Sequence, residues 1–247
     1  MSDREIKSIE EVSLNALPCL QQILDDGWVL RFAQGYTKRA NSVTPLYPSF
    51  LDLHTKIKRC EDIYRSFALK PIFRLRDTPE MKILDCALDN LGYLRQDTVS
   101  VRVKNLDNIK VENNLVTFER ELSQEWLDQY VHAVDLPIQH WQTLSTMLEI
   151  IPTPTCYALL KDRSLFCSCG LGVLERNYLG LFSIATAKRQ RGKGYGSRLI
   201  SAMLQWGQAC GAKKAYVQVE TKNQRGINLY NKLGFTEVYQ YFYRLKP

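Results

Sequence analysis

The chain has 247 residues, of which 45% are apolar and 24% charged, an ordinary composition for a soluble globular protein of one large or two small domains. Every apolar run is shorter than the ~20 residues that a membrane span requires. Residues 1–5 are charged and no apolar core follows them, so we expect no secretory signal. These features argue against a transmembrane or secreted protein, and we expect a cytoplasmic one with no membrane partner.

The formal net charge of +7 is unevenly distributed. Residues 188–247 hold 12 Lys and Arg against 2 Asp and Glu. A basic segment of this kind attracts polyanions in general, so charge alone leaves nucleic acid, anionic lipid, a phosphorylated cofactor and a plain solvated surface open. Because no nucleic-acid-binding motif is recognisable, we do not expect nucleic acid as the partner.

The seven cysteines are odd in number and scattered through apolar stretches. This pattern is typical of free buried thiols in a reducing compartment. Cys167 and Cys169 form the one close pair, and their spacing predicts that both thiols lie on one face of a strand. No second pair of Cys or His stands nearby in the sequence, so we expect core packing there and no metal site.

Helix and strand signals follow one another along the chain and predict an α+β protein. Ser123 is a natural N-cap, and Gly211 is a natural helix stop. Periodic apolar positions and turn residues predict, in order, a hairpin over residues 27–33 and 38–43, a helix over 51–67, a strand over 71–76, helices from 124 and over 140–150, strands over 155–160, 165–175 and 179–187, a helix ending near 209, a strand over 215–220, a helix over 224–233 and a strand over 235–245.

Two parts of the chain share an order of elements. Residues 87–93 (ALDNLGY) parallel residues 229–235 (LYNKLGF), and each segment follows a predicted helix and strand. We therefore predict an internal duplication, with one domain over residues 1–105, a second over residues 112–247 and a polar linker over residues 105–110.

The segment Arg191-Gly192-Lys193-Gly194-Tyr195-Gly196 lies between a predicted strand and a predicted helix. Glycines let the backbone turn sharply, and the helix N-terminus attracts anions, so this context suits a phosphate group. A Walker A loop is absent from the sequence. A dinucleotide-binding fingerprint is a nearer match, but too few residues follow Gly196 for the strands and helices of that fold.

The same segment resembles the Q/R-x-x-G-x-G/A signature of the GNAT acetyltransferase superfamily. Residues 223–235 (NQRGINLYNKLGF) resemble that superfamily's second motif, N-x-x-A-x-x-L-Y-x-K-x-G-F, with Gly226 in place of Ala. The resemblance covers about residue 115 to the C-terminus and implies a mixed-sheet GNAT fold. With the duplication, it implies a tandem GNAT protein whose N-terminal half is degenerate. Leu88 stands at the position matching Tyr230, so one active site per chain is expected.

The resemblance implies an N-acetyltransferase that uses acetyl-CoA. It assigns Tyr230 as the general acid for the departing thiolate and the end of the strand before the glycine segment to the pantetheine arm. Glu175 and Glu220 are both candidates for the general base. The residues expected to bind the cofactor are Ile184, Ala185, Thr186, Arg191, Gly192, Lys193, Gly194, Tyr195, Gly196, Ser197 and Asn223.

The resemblance implies that the acceptor is an amine on a small molecule, peptide or protein, and we expect the protein to be a monomer or homodimer. The predicted hairpin over residues 27–33 and 38–43 combines aromatic, cationic and amide groups, which could bind an anionic or polar acceptor or form strand core. The alternatives are a non-catalytic acyl-CoA-binding regulatory module, a nucleic-acid binder, and an enzyme whose donor is aminoacyl-tRNA. The intact glycine segment argues against the last of these.

Overall fold

The computed structural model describes residues 1–107, 109 and 115–247. Over those residues the chain forms seven α-helices, α1 Asp3–Ala16, α2 Leu53–Ser66, α3 Lys82–Asn90, α4 Gln124–Ala133, α5 Trp141–Glu149, α6 Tyr195–Ala209 and α7 Gln224–Lys232. It also forms eleven strands, β1 Gln21–Asp25, β2 Trp28–Phe32, β3 Val43–Pro45, β4 Ile72–Arg76, β5 Leu94–Asn105, β6 Val116–Glu119, β7 Thr155–Asp162, β8 Leu165–Glu175, β9 Tyr178–Thr186, β10 Lys214–Glu220 and β11 Thr236–Leu245.

The strands form one mixed sheet in the order β1-β2-β3-β4-β11-β5-β10-β9-β8-β7-β6. The β3–β4 and β9–β10 pairs are parallel and the other neighbours are antiparallel. Apolar side chains of α1, α4 and α5 pack on one face of the sheet. The other face is covered by α6 and α7 over one part and by α2 and α3 over the other. The predicted mixed α+β class is confirmed.

The two predicted halves exchange strands at the centre of the sheet. β11 pairs with β4, β5 pairs with β10, and β5 and β11 pair with each other. Residues 1–105 and 112–247 thus interleave within a single sheet. The domain boundaries themselves stay a prediction, and Asn108 and Lys110 of the predicted linker lie outside the described residues.

Arg244, on β11, binds the N-terminal half through its side chain. Its side chain is nearly buried and donates at 2.7 Å to Asp85 and at 2.5 Å to Asp89, both on α3. It also donates at 2.7 Å to the carbonyl oxygen of Tyr93, just beyond that helix. The last strand therefore binds the C-terminal end of a helix in the other half.

Arg102, on β5, makes the reciprocal contact. It donates to Asn231 on α7 and, at 3.3 Å, to the carbonyl oxygen of Phe235 just beyond that helix. Arg102 lies 142 positions before Arg244, and Asn231 and Phe235 lie 142 positions after their counterparts Asp89 and Tyr93. α2 and α3 likewise begin 142 positions before α6 and α7. This equal spacing supports the predicted duplication.

Most of the predicted elements are confirmed to within two residues, and two predictions are wrong. In the hairpin, Lys38–Ala40 is a short 3₁₀ turn, and the second strand begins only at Val43. Cys167 and Cys169 lie on opposite faces, because a shift of register against β7 next to Cys167 breaks the two-residue alternation. No bounds were predicted for α1, α3, β1, β5 and β6. None of the described helices has the length and apolarity to cross a bilayer.

Candidate active site

The site begins where two parallel strands separate. β9 pairs with β10 only from Tyr178 to Leu181, although it continues to Thr186. Just beyond that point its register against β8 shifts, and Ser183 has a φ of +49°. A non-glycine residue in the left-handed region marks a local distortion of the strand, a β-bulge. The end of β9 is therefore free to line the gap between the strands.

The glycine segment follows this strand and starts α6. Gly192 and Gly194 have φ values of +79° and +84°, which only glycine adopts without strain. Gly194 is the N-cap of α6 and has no side chain to accept from the amides of the first turn. Those amides, in residues 195–197, have no carbonyl one turn earlier and carry the positive end of the helix dipole. The segment is built to receive an anion.

A groove with a volume of about 980 Å³ runs along this segment and α7. Ten of the eleven residues predicted to bind the cofactor line it: Ile184, Ala185, Thr186, Arg191, Gly192, Gly194, Tyr195, Gly196, Ser197 and Asn223. Lys193 does not line it; its Nζ donates at 2.8 Å to the side chain of Gln190, which does. Two cations that the sequence did not single out, Arg225 and Lys232 on α7, also line the groove.

Asn223 lines the groove and also caps the helix of the second motif. It is the N-cap of α7 and its Oδ1 accepts from the amide of Gly226 at 2.9 Å. A Cβ on Gly226 would meet the Asn223 side-chain amide nitrogen at 2.8 Å. An alanine at this position would require the Asn223 side chain to shift.

A second cavity, of about 540 Å³, opens on the other side of the split strands. Ile184, Asn223 and Tyr230 line both cavities, so the two meet at these residues. Tyr230 is 9% exposed, and its ring packs edge-on against Phe235 at 5.7 Å. Burial raises the pKa of Tyr230 to about 12, and the charge of Arg39 acts in the opposite direction. The phenol is therefore protonated at neutral pH and can donate a proton.

The structure brings one of the two candidate bases to this junction. Glu220, at the end of β10, is exposed and lines the second cavity. Glu175 lines neither cavity; its carboxylate accepts from Asn15 at 3.0 and 3.1 Å and lies near Arg176. The reason is topological: β8 runs antiparallel to β9, so the end of β8 faces Tyr178, at the opposite end of β9 from the glycine segment.

The N-terminal half contributes one wall of the second cavity. Residues 37–39 of the 3₁₀ turn and Asp97 on β5 line it, whereas the strand residues of the predicted hairpin pack in the core. Asp97 accepts from Lys38 and lies 3.6 Å from the Nζ of Lys222. The hydrogen bond and charge of Lys38 lower the pKa of Asp97.

Three tyrosines complete this cavity: Tyr130 on α4, and Tyr241 and Tyr243 on β11. Sequence reasoning missed them, as it missed Asp97. The alternation of Tyr239, Tyr241 and Tyr243 on one strand face was the available signal, but it does not tell which strands lie beside it.

In the N-terminal half, the loop that corresponds to the glycine segment is filled by a side chain of the protein, that of Asp26. Asp26 accepts at 3.0 Å from the backbone amides of both Phe50 and Leu51, just before α2. These amides lie 142 positions before those of Gly192 and Lys193. A carboxylate thus fills the place where the C-terminal half has an open groove.

In residues 1–107, 109 and 115–247, no group of three or more His, Cys, Asp or Glu is arranged to hold a metal ion.

Comparisons with known proteins agree with this geometry. Residues 3–244 match the model of the family described as "Probable histone acetyltransferase Rv0428c C-terminal". The chain is 26% identical over 250 residues to the uncharacterized N-acetyltransferase YobR of Bacillus subtilis (strain 168), covering 98% of this chain and 99% of that one.

Solved structures show the same fold. A GCN5-related N-acetyltransferase from Kribbella flavida superposes with a TM-score of 0.73 at 12% identity, over 98% of this chain and 95% of that one. A tandem GNAT protein from the clavulanic acid biosynthesis pathway superposes with a TM-score of 0.58 at 11% identity, over 82% and 74% of the two chains. The chain therefore belongs to the family of the probable histone acetyltransferase Rv0428c C-terminal region and, with it, to the GNAT superfamily of N-acetyltransferases.

Proposed function

We propose that this protein transfers the acetyl group of acetyl-CoA to an amine by direct attack of the amine on the thioester. One observation carries the proposal: a groove that ends in a glycine-lined helix N-terminus meets a second cavity at Tyr230. A donor bound in the first cavity and an acceptor bound in the second would therefore come together beside a phenol that holds its proton.

The residues of the groove fit the donor. The pyrophosphate carries negative charge, which the uncapped amides of residues 195–197 and the cations Arg191, Arg225 and Lys232 can bind. The guanidinium of Arg191 already donates to the carbonyls of Thr186 and Ala133, so it braces the end of β9 as well as adding charge. The donor supplies an acetyl group activated as a thioester.

The transfer requires three groups of the chain: an amide that polarises the acetyl carbonyl, a general acid and a general base. An amide at the end of β9, within residues 184–186, polarises the acetyl carbonyl. The amine nitrogen then forms a bond to the acetyl carbon as the bond from carbon to sulfur breaks. Tyr230 gives its proton to the departing sulfur, whose conjugate thiol has a pKa near ~8.5. Glu220, directly or through water, takes the proton that the amine loses, and solvent returns a proton to Tyr230.

One site per chain is part of this proposal. The open groove of the C-terminal half has a counterpart in the N-terminal half that is filled by Asp26. The N-terminal half instead supplies Arg39 and Asp97 to the acceptor side.

Turnover of purified protein with acetyl-CoA and a panel of amines, followed as free thiol, tests the proposal. In Tyr230→Phe, kcat should fall about a hundredfold or more, the usual contribution of a general acid. The dissociation constant of CoA, measured by calorimetry, should stay within about threefold because the groove is unchanged. Tyr47→Phe is the matched control, since Tyr47 is partly exposed and lines neither cavity.

Equal losses of turnover and CoA affinity in Tyr230→Phe would contradict the role of Tyr230 as acid. CoA binding without turnover of any amine would favour the alternative, a non-catalytic acyl-CoA-binding module. Failure to bind CoA at all would refute both.

A further inference from the structure

Arg39 is held firmly at the wall of the acceptor cavity. It belongs to the 3₁₀ turn Lys38–Ala40, which Asn41 fixes by donating to the carbonyls of Tyr36 and Thr37. The carbonyl oxygen of Arg39 itself accepts from Arg31 at 2.8 Å. The backbone that carries the guanidinium is therefore fixed, and its side chain enters the cavity from a defined position.

The charge of Arg39 has no counterion among the residues that the structure describes. Its guanidinium donates one long hydrogen bond of 3.5 Å to the side chain of Gln218. Within the part of the chain that the structure describes, no carboxylate lies within 4.0 Å of its guanidinium. The buried Arg74 and Arg244, by contrast, are both paired with carboxylates. An arginine keeps its charge at any pH at which proteins fold.

Four tyrosines lie around Arg39, and the two carboxylates that line the same cavity, Asp97 and Glu220, form no ion pair with it. Tyr36, Tyr130, Tyr241 and Tyr243 all lie close enough to interact electrostatically with it. A cationic guanidinium in a wall of phenols is arranged to receive an anion from outside the chain, because a planar fork of donors binds a carboxylate in two hydrogen bonds.

Arg39 is also close to the reacting groups. Its charge acts on the pKa of Tyr230, and its partner Gln218 lies two residues before Glu220 on β10. Residues two apart on a strand are about 7 Å apart and point to the same face. The anion site and the candidate base are thus separated by about the length of a small molecule.

We propose that the acceptor is a small amino acid, an amine that carries a carboxylate which Arg39 binds. This inference rests on the proposed acetyl transfer. A phosphate is a poorer match, because its charge of about −1.5 to −2 exceeds the single unpaired cation, and Asp97 and Glu220 line the same cavity. The lysine side chain of a protein acceptor would bring no anion to Arg39.

Matched pairs of acceptors test the assignment. The common α-amino acids, β-alanine and γ-aminobutyrate are each compared with their carboxamides, in the presence of saturating acetyl-CoA, and kcat/KM is measured from free thiol. The ratio of the carboxylate to the carboxamide is then compared between the wild type and Arg39→Gln. The different amine pKa values within each pair cancel in this comparison, and so does any loss of folded protein.

For the preferred acceptor the ratio should fall about tenfold to a hundredfold in Arg39→Gln, the usual effect of one hydrogen-bonded charge pair. Arg65→Gln removes an exposed arginine that lines neither cavity and should leave the ratio unchanged. The same pairs are also titrated into the CoA complex while its thermal unfolding is followed, which measures the preference without turnover.

The outcomes separate the two proposals. Acetylation of amines with no preference for the carboxylate, or a preference that survives Arg39→Gln, overturns the assignment and leaves acetyl transfer intact. CoA binding with no amino acid either acetylated or stabilising the complex also overturns it. If CoA does not bind, the proposed function fails first and the assignment fails with it.

Discussion

Replacing Arg244 by glutamine removes the guanidinium through which β11 holds the N-terminal half. Three acceptors lose a donor in this variant: the carboxylates of Asp85 and Asp89 and the carbonyl oxygen of Tyr93. The cost depends on how well water can replace that donor at each of them.

The three acceptors differ in exposure. The side chain of Asp89 is 65% exposed, so water replaces the arginine there and the pair contributes at most about 1 kcal/mol. Asp85 is 24% exposed and Tyr93 is buried. A buried acceptor left without a donor costs about 1–3 kcal/mol. Together these contributions predict a loss of about 3 kcal/mol in the free energy of unfolding, or about 6–12 °C in Tm for a chain of this size.

Urea unfolding at pH 7, followed by tryptophan fluorescence, measures this change if the slope with denaturant is unchanged. Arg65→Gln is the control, because Arg65 pairs with Asp62 on the surface of a helix and should contribute less than about 0.5 kcal/mol. Arg102→Gln removes the reciprocal contact and should cost a similar amount to Arg244→Gln. If Arg244→Gln unfolds within about 0.5 kcal/mol of the wild type, the exchanged strand is held by its backbone pairing and core side chains alone.

Two further predictions concern the groove and the core. In Gly194→Ala, holding an alanine at a φ of +84° costs about 1 kcal/mol, so the dissociation constant of CoA should rise about fivefold; Gly211→Ala, with a φ of +95° outside the groove, should lower stability but leave CoA binding unchanged. Glu10 is buried, which raises its pKa, but the charge and hydrogen bonds of Arg74 outweigh burial and lower it. Its folded-state pKa lies below the unfolded value, so its stabilising effect is complete above about pH 4.5 and is lost as the pH falls further. The free energy of unfolding, measured between pH 3 and 7, should therefore fall steeply at the acid end, and Glu10→Gln should be less stable at pH 7 with a shallower acid slope.

The sequence predicted the features that depend on neighbouring residues. The glycine segment and the motif at residues 223–235 are local, because a phosphate cradle and a capped helix are each built within one turn and one helix. That the two segments lie in one groove could be expected only from the family resemblance. The prediction that Cys167 and Cys169 share a face was wrong, because one register shift moves every later side chain of a strand to the opposite face. Nothing in the neighbouring residues marks that shift.

The acceptor side could not be predicted in the same way. Arg39, Asp97 and Tyr241 come from three separated segments, and the exchange of β5 and β11 brings them together. Glu175 was a candidate for the general base, but antiparallel pairing places it beside Tyr178, at the end of β9 that is far from the glycine segment. Long-range pairing is set by the whole sheet, which periodicity along one segment does not report.

The exchange of strands has a consequence for how the chain is made. β4 and β5 are synthesised early, yet β4 lies beside β11, the last of the eleven described strands to leave the ribosome. Until then the facing edges of β4 and β5 have unpaired backbone groups, which are prone to pair with other chains. The sheet of the N-terminal half can therefore be completed only after β11 has been synthesised, and a nascent chain stalled before residue 236 should be the species that chaperones bind and that aggregates.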